Sequence, residues 1–285
     1  MTDSDLNTRP SIAQLSYKHI GPASGRRVWV LHGIMGSKQN WSRFTRRLSE
    51  RHPEIQITSV DLRCHGETPH LDGPHRLLSC AYDLRALGDQ IGHPQTIIGH
   101  SFGGKVALQY AALYASSGVS TELERVWTLD SPLAARRQVG HDEVARVIEA
   151  CGAIPMPQPS RQAVTEHFTQ RGFSLGIAQW MTTNLRRVST AESESGGFTW
   201  RFDLAGISAL ISDYWEVDGW SLLAEISPDV SLNLLRAERG MRWTEGDAAR
   251  ITEEFAHINT PLLSDSGHWV HIEQLEGLLE LLGAL

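Results

Sequence analysis

Gly99-His100-Ser101-Phe102-Gly103 stands between the apolar run Thr96-Ile97-Ile98 and the alanine-rich stretch that begins at Lys105. The pattern is G-x-S-x-G at a junction where strand character gives way to helix character. A serine held in such a turn needs a strained backbone. Small residues two before and two after it let the strand and the helix approach. The N–H groups at the start of the helix would then face charge developing at the serine. The pentapeptide alone also fits an ordinary glycine-rich turn, so its surroundings decide.

A serine is nucleophilic at neutral pH only beside a base. Among 13 histidines, His268 in "LLSDSGHWVHIEQ" is best placed, because it follows the last expected strand and precedes the last helix. His271 is the rival, expected in the first turn of that helix and pointing elsewhere. The side chain of His100 should project away from Ser101. A carboxylate is needed to orient the imidazole and stabilise its cation. Asp130 ends "RVWTLD", Glu238 follows "VSLNLLRAE", and Asp61 ends "ITSVD" on the other side of the serine's strand. Asp61 is expected to bond loop amides in "DLRCHGET"; Asp130 and Glu238 both stay open as the acid. The loop "LHGIMGS" places the N–H of Ile34 as one oxyanion donor, with the N–H of Phe102 as the other.

The elements that must position these residues follow from hydrophobic periodicity. "QLSYKHI", "RRVWVLHG", "EIQITSVDLR", "QTIIGH" and "RVWTLDSP" read as strands. Between them, "SKQNWSRFTRRLSERH", with Ser37 as N-cap, "HRLLSCAYDLRALGDQI" and "KVALQYAALYA" read as helices. The alternation predicts an α/β fold, with a mostly parallel central sheet flanked by helices. From Leu133 to Ile226 the alternation stops and helical segments dominate, among them "SLGIAQWMTTNLRRV" and "DLAGISALISDYW", with a polar turn and a short hairpin arm at "STAESESGGFTWRF". Residues 1–132 and 227–285 are therefore expected to form the core, and residues 133–226 a helical insertion. A structureless loop of that length would be improbable.

Composition narrows the classes. Apolar residues make up 41% and charged residues 21%, enough to bury a core. A net charge of -7 gives no basis for nucleic-acid binding. Cys64, Cys80 and Cys151 form no C-x-x-C pair, and an odd count argues against a disulfide framework. Reduced thiols, the absence of a signal-type N-terminus and the absence of a long apolar run predict a cytoplasmic chain without a membrane span. His65, His70 and His75 have no recognised zinc spacing and are read as loop histidines.

With "LHGIMGS", "DLRCHGET", "GHSFGGK" and "SGHWVH" in that order, the chain resembles the α/β-hydrolase superfamily along almost its whole length. "LHGIMGSKQNW", Lys105 and "LDSPLAARRQVGHDEVARVI", with its His141-Asp142-Glu143 helix start, are similar to the YbfF/ABHD11-like esterase group. The resemblance implies the α/β-hydrolase fold, with the helical insertion acting as a lid after the sixth strand. It also bears on the acid. Most of the superfamily carries it after the later strand in a pattern like G-x-x-D, where this chain reads Ala237-Glu238-Arg239-Gly240. The esterase group places it one strand earlier, at the position of Asp130. The resemblance thus implies Ser101, His268 and Asp130, with Glu238 as the alternative acid.

The expected reaction is hydrolysis of carboxylic esters with small or medium acyl groups through an acyl-enzyme. Neither a metal nor an organic cofactor is expected. The small-molecule substrate is an ester or a thioester, and oligomeric state is not readable. The same residues could serve a thioesterase, a C–C bond hydrolase or a lyase of the menaquinone pathway. A ligand-binding receptor of the same fold with little turnover is the rival from another class. Phe168, Phe173, Trp180 and Trp215 of the insertion are read either as lid core or as walls of an acyl pocket.

Overall fold

The computed structural model describes residues 11–117, 122–135, 143–189, 196–240 and 242–283. The chain opens with β1 (Ser16–Ile20), β2 (Arg26–Leu31), a 3₁₀ turn (Lys38–Trp41), α1 (Ser42–Arg51) and β3 (Ile55–Asp61). Then come α2 (Leu77–Ile91), β4 (Thr96–His100), α3 (Phe102–Ser117) and β5 (Arg125–Leu129). A helical stretch follows, with α4 (Glu143–Ala153), α5 (Arg161–Gln170), α6 (Leu175–Thr183), β6 (Leu185–Arg187), β7 (Phe198–Trp200), α7 (Leu204–Glu216) and α8 (Gly219–Glu225). The chain ends with β8 (Ser231–Ala237), α9 (Glu245–Glu254), β9 (Leu262–Leu263), α10 (Val270–Glu273) and α11 (Leu275–Leu282).

The main sheet runs β1-β3-β2-β4-β5-β8-β9. β1 pairs antiparallel with β3 and every other pairing is parallel. β2 shows why the sheet needs cover on both faces. Trp29 and Leu31 enter the core that contains α2 and α3, while Val28 and Val30 enter the core that contains α1 and α11. That period of two over a continuous apolar run is the signature of a strand buried on both sides. This is the mostly parallel, two-faced sheet anticipated from the alternation, and it matches the α/β-hydrolase fold that the resemblance implied.

Two local expectations need correction. The helical stretch follows the fifth strand in chain order, not the sixth, because only the antiparallel β1 precedes the parallel set among the described residues. The helix expected through "TTNLRRV" stops at Thr183. Leu185–Arg187 instead pairs antiparallel with Phe198–Trp200. Asn184 caps α6, and hydrogen bonding to a partner strand outcompetes a weak helix end. α8 was not legible, since its seven residues are too short to show a helical period. Its start is marked by Asp218, which accepts the N–H of Trp220.

A candidate active site at the strand ends

β4 ends at His100, and α3 starts at Phe102, so Ser101 makes the whole turn. Its φ is 52°, in the left-handed region that a non-glycine residue rarely adopts. The turn closes because a Cβ on Gly99 would come within 2.1 Å of the carbonyl oxygen of Gly103, and one on Gly103 within 2.5 Å of that of His32. The small residues of the pentapeptide are thus required by contact between strand and helix. The Ser101 N–H donates to the Leu129 carbonyl at 2.9 Å, and the Ser131 hydroxyl donates to the Ser101 carbonyl at 2.7 Å.

His268, Asp130 and Ser101 form one hydrogen-bonded chain. Asp130 sits immediately after β5, fully buried, with φ 47°. Its Oδ2 accepts from His268 Nδ1 at 2.7 Å. A carboxylate only accepts, so Nδ1 carries the proton and Nε2 is left with its lone pair toward the serine. The Ser101 hydroxyl donates to that Nε2 at 3.1 Å. The second carboxylate oxygen, Oδ1, accepts the N–H of Ala237 at 3.3 Å. Glu238, the alternative acid, is not at the imidazole. It is exposed, and its Oε2 accepts the N–H of Asp265 at 2.7 Å. Gly240 explains the exchange of positions: a Cβ there would lie 2.6 Å and 2.7 Å from the two Asp130 oxygens. The space the Asp130 carboxylate needs is the space a side chain at 240 would fill.

Two buried histidines shape the loop after β2. His32 Nδ1 donates to the Gly33 carbonyl at 2.8 Å, and its Nε2 accepts the N–H of Leu62 at 3.1 Å. His65 Nδ1 donates to the Arg63 carbonyl at 2.7 Å, and its Nε2 accepts the N–H of Met35 at 3.0 Å. Burial pushes both imidazoles below their ordinary range, so each is neutral and can donate and accept at once. Asp61 joins the same loops. It accepts the N–H of Glu67 at 2.8 Å, the N–H of Lys38 at 2.6 Å and the Lys38 ammonium at 2.6 Å. In the loop so fixed, Ile34 faces the cavity at Ser101. The N–H groups of Ile34 and Phe102 have no hydrogen-bond partner among the described residues.

His100 points away from Ser101 and supports the other side of the site. Its Nε2 donates to the His268 carbonyl at 2.8 Å. Burial first, then the neighbouring His268 and His271, hold it well below the usual imidazole range. His271 stacks on Trp41 with ring centroids 4.2 Å apart, and burial pushes it down to about 3. Neither position was predicted to touch the site, and only its own three-dimensional packing reveals that both line it.

The cavity beside Ser101 has a volume of about 100 Å³. Its walls are mostly apolar, with Trp41 and Trp269 from the core and Val147, Ile177 and Trp180 from the helical stretch. Glu143 and Arg242 are its charged rim residues. Of the four aromatics singled out above, Trp180 lines this cavity and Trp215 a smaller one that also reaches Ser101. Phe168 and Phe173 are buried among the helices instead. His141 and Asp142 lie outside the described residues, while Glu143 opens α4 at the cavity. No helix among the described residues is long and apolar enough to cross a membrane.

This fold with this site defines a hydrolase, and the chain belongs to the alpha/beta hydrolase family, whose model matches residues 30–281. Among named proteins it is 29% identical over 286 residues to the sn-1-specific diacylglycerol lipase ABHD11 of Xenopus tropicalis, covering 96% of this chain and 83% of that one. It is 25% identical over 275 residues to Escherichia coli esterase YbfF, covering 96% of each. Among solved structures a marine microorganism esterase superposes with a TM-score of 0.80 at 22% identity, covering 95% of this chain and 98% of that one.

Proposed function

We propose that the protein hydrolyses carboxylic esters of small or medium acyl groups through a covalent acyl-enzyme on Ser101. The observation that carries this reading is the unbroken chain from Ser101 Oγ through His268 to the buried Asp130, opening on an apolar cavity. His268 Nε2 takes the hydroxyl proton as Ser101 attacks the ester carbonyl, and Asp130 stabilises the imidazolium that results. The N–H groups of Ile34 and Phe102, the latter at the positive end of α3, receive the oxyanion. His268 then gives its proton to the departing alcohol, draws one from water, and the acyl-enzyme is hydrolysed. The helical stretch from α4 to α8 is the lid and supplies the acyl wall. The names of the relatives, a diacylglycerol lipase and an esterase, support an ester as the bond cleaved.

The decisive experiment joins labelling with turnover. A fluorophosphonate probe should label wild-type protein and not Ser101→Ala, and a series of p-nitrophenyl esters should be turned over with a preference for short or medium chains. Labelling without turnover of any ester would favour a binding protein. Faster turnover of matched acyl thioesters would move the reading to a thioesterase.

A further inference from the structure

The loop after β3, which holds the loop after β2 through His65, meets the first turn of α7 on its other side. It brings together Cys64, His70, His75 and Asp203, none of which the ester reading uses. One ligand atom each from Cys64, His75 and Asp203 lies within 4.8 Å of the other two. Cys64 Sγ is 3.3 Å from His75 Nδ1, and His70 Nδ1 is 3.2 Å from Asp203 Oδ2. Around tetrahedral zinc, bonds of about 2.3 Å to sulfur and about 2.1 Å to nitrogen or oxygen set S···N edges near 3.6 Å and N···O edges near 3.4 Å. Both observed separations are close to edges of such a polyhedron.

We infer that Cys64, His75 and Asp203, with His70 as fourth ligand, form a structural site for a zinc-class divalent cation that fastens the inserted helices to the core. The donor set selects the ion: a thiolate with imidazoles and one carboxylate suits zinc, whereas magnesium and calcium take oxygen. Asp203 is prepared for the role. Its Oδ1 accepts the N–H groups of Ala205 and Gly206 at 3.0 Å and 3.2 Å, which orients the carboxylate and leaves Oδ2 for the ion. The Asp203 N–H donates to the Cys64 carbonyl at 2.9 Å, which holds loop and helix in register. The sulfur reaches the helix because residue 206 is glycine; a Cβ there would lie 2.3 Å from Cys64 Sγ. Arg63, the cation next in sequence, is already neutralised by Asp83 at 2.6 Å and 2.8 Å. A solvent-open groove lined by Cys64, His70 and Asp203 gives the ion a way in.

On binding, the Cys64 S–H bond breaks, its proton leaves to solvent, and sulfur bonds the metal without any redox change. The spacing of three ligands on one loop, with Asp203 far along the chain, matches no short zinc signature, which is why it is invisible in sequence.

Protein stripped with a chelator and titrated with Co(II) tests the site. The expected result is one Co(II) per chain with a thiolate-to-cobalt charge-transfer band, displaced by Zn(II). Cys64→Ser should abolish the band, and His75→Gln and Asp203→Asn should each weaken binding at least about tenfold. Zn(II) should raise the melting midpoint of the wild type and not that of Cys64→Ser. Ser101→Ala should bind the metal like wild type, so failure here and failure of the ester reading are separate. Absence of the band, a band that survives Cys64→Ser, or wild-type affinity in both His75→Gln and Asp203→Asn would overturn the proposal.

Discussion

At the carboxyl ends of β4 and β5, backbone and side chains are over-determined, whereas α4 to α8 reach the site only as a wall. Ser101 and Asp130 both sit at positive φ, each directly after a strand of the parallel sheet. Neutral buried histidines and single hydrogen bonds fix the loops around them. The helical stretch contributes apolar surface and docks through a few polar anchors. Asp213 accepts the N–H of Leu77 at 2.7 Å, and the Gly219 N–H donates to the Leu133 carbonyl at 2.8 Å. On the proposed ester reading, the reaction geometry lies at the sheet ends, and the helices supply part of the acyl wall. A change in the first should act on rate, and a change in the second on stability or chain-length preference.

The largest effect should come from the acid. Asp130→Asn leaves the shape and removes the charge that holds the His268 tautomer, so kcat/KM for ester hydrolysis should fall about 10³- to 10⁴-fold. Glu238→Gln should leave it unchanged, since among the described residues that carboxylate holds the Asp265 amide and is not at the imidazole. The reverse result would move the acid to the later strand. Next in size, Gly240→Ala puts a methyl group where the Asp130 oxygens lie. Displacement of the carboxylate by about 1 Å should cost about 10²-fold in kcat while the melting midpoint changes little. Full activity in that variant would show that the carboxylate has room to spare.

The anchor between the two regions should register as stability. Lys105 is fully buried on α3, and its ammonium donates to the carbonyls of Tyr214 at 3.1 Å and Val217 at 3.0 Å, 4.4 Å from the Tyr214 ring centre. These are the carboxyl-terminal groups of α7, so the elbow helix itself holds the inserted stretch. Lys105→Met leaves those acceptors unsatisfied and should destabilise by about 2 kcal/mol, read as a lower unfolding midpoint in denaturant. A midpoint at or above wild type would mean that desolvation of the ammonium outweighs its bonds.

How much was legible divides along the same line. The inner strands could be read because β2, β4 and β5 are short apolar runs followed within three residues by Gly or Pro, and the glycines around Ser101 because contact leaves no alternative. The pairing of His268 with Asp130 and not Glu238 was readable only through resemblance. The physical reason, the clash at Gly240, is a contact between two loops that no local pattern records. His32, His65 and His100 were silent for a similar reason, since a neutral buried imidazole looks like any other histidine in a sequence. In the helices, β6 and α8 were missed because three and seven residues are too few to establish a period.

Acid should attack the sheet side first. Burial lowers His32, His65 and His100, and takes His271 to about 3. The unfolded chain, with imidazoles near 6.5, then binds protons more readily than the folded one. Stability is fully present above about pH 6.5 and is lost as pH falls toward the folded-state value, at about 1.4 kcal/mol per pH unit for each such group. For His271 that window runs from about 6.5 down to about 3. His271→Gln should therefore flatten the pH dependence of unfolding there by about 1.4 kcal/mol per unit. In the inserted helices, among the described residues, only the half-buried His167 is lowered. An unchanged slope would show that His271 accepts a proton without unfolding.

The smallest effect sharpens the contrast most. Trp180 projects from α6 into the cavity and meets Trp269 at 5.4 Å between ring centres, so one wall is shared by a helix of the insertion and a residue next to His268. Trp180→Leu shortens the insertion's half of that wall and leaves Ser101, His268 and Asp130 untouched. An apolar wall discriminates weakly, so the expected change is about threefold in relative kcat/KM toward longer acyl chains, carried by KM. Phe168→Leu, buried among the same helices, should lower the melting midpoint with the chain-length preference unchanged. If Trp180→Leu instead lowered kcat equally for every chain length, the helices would be shaping the reaction itself, and the separation of rate from selectivity would fail at this residue.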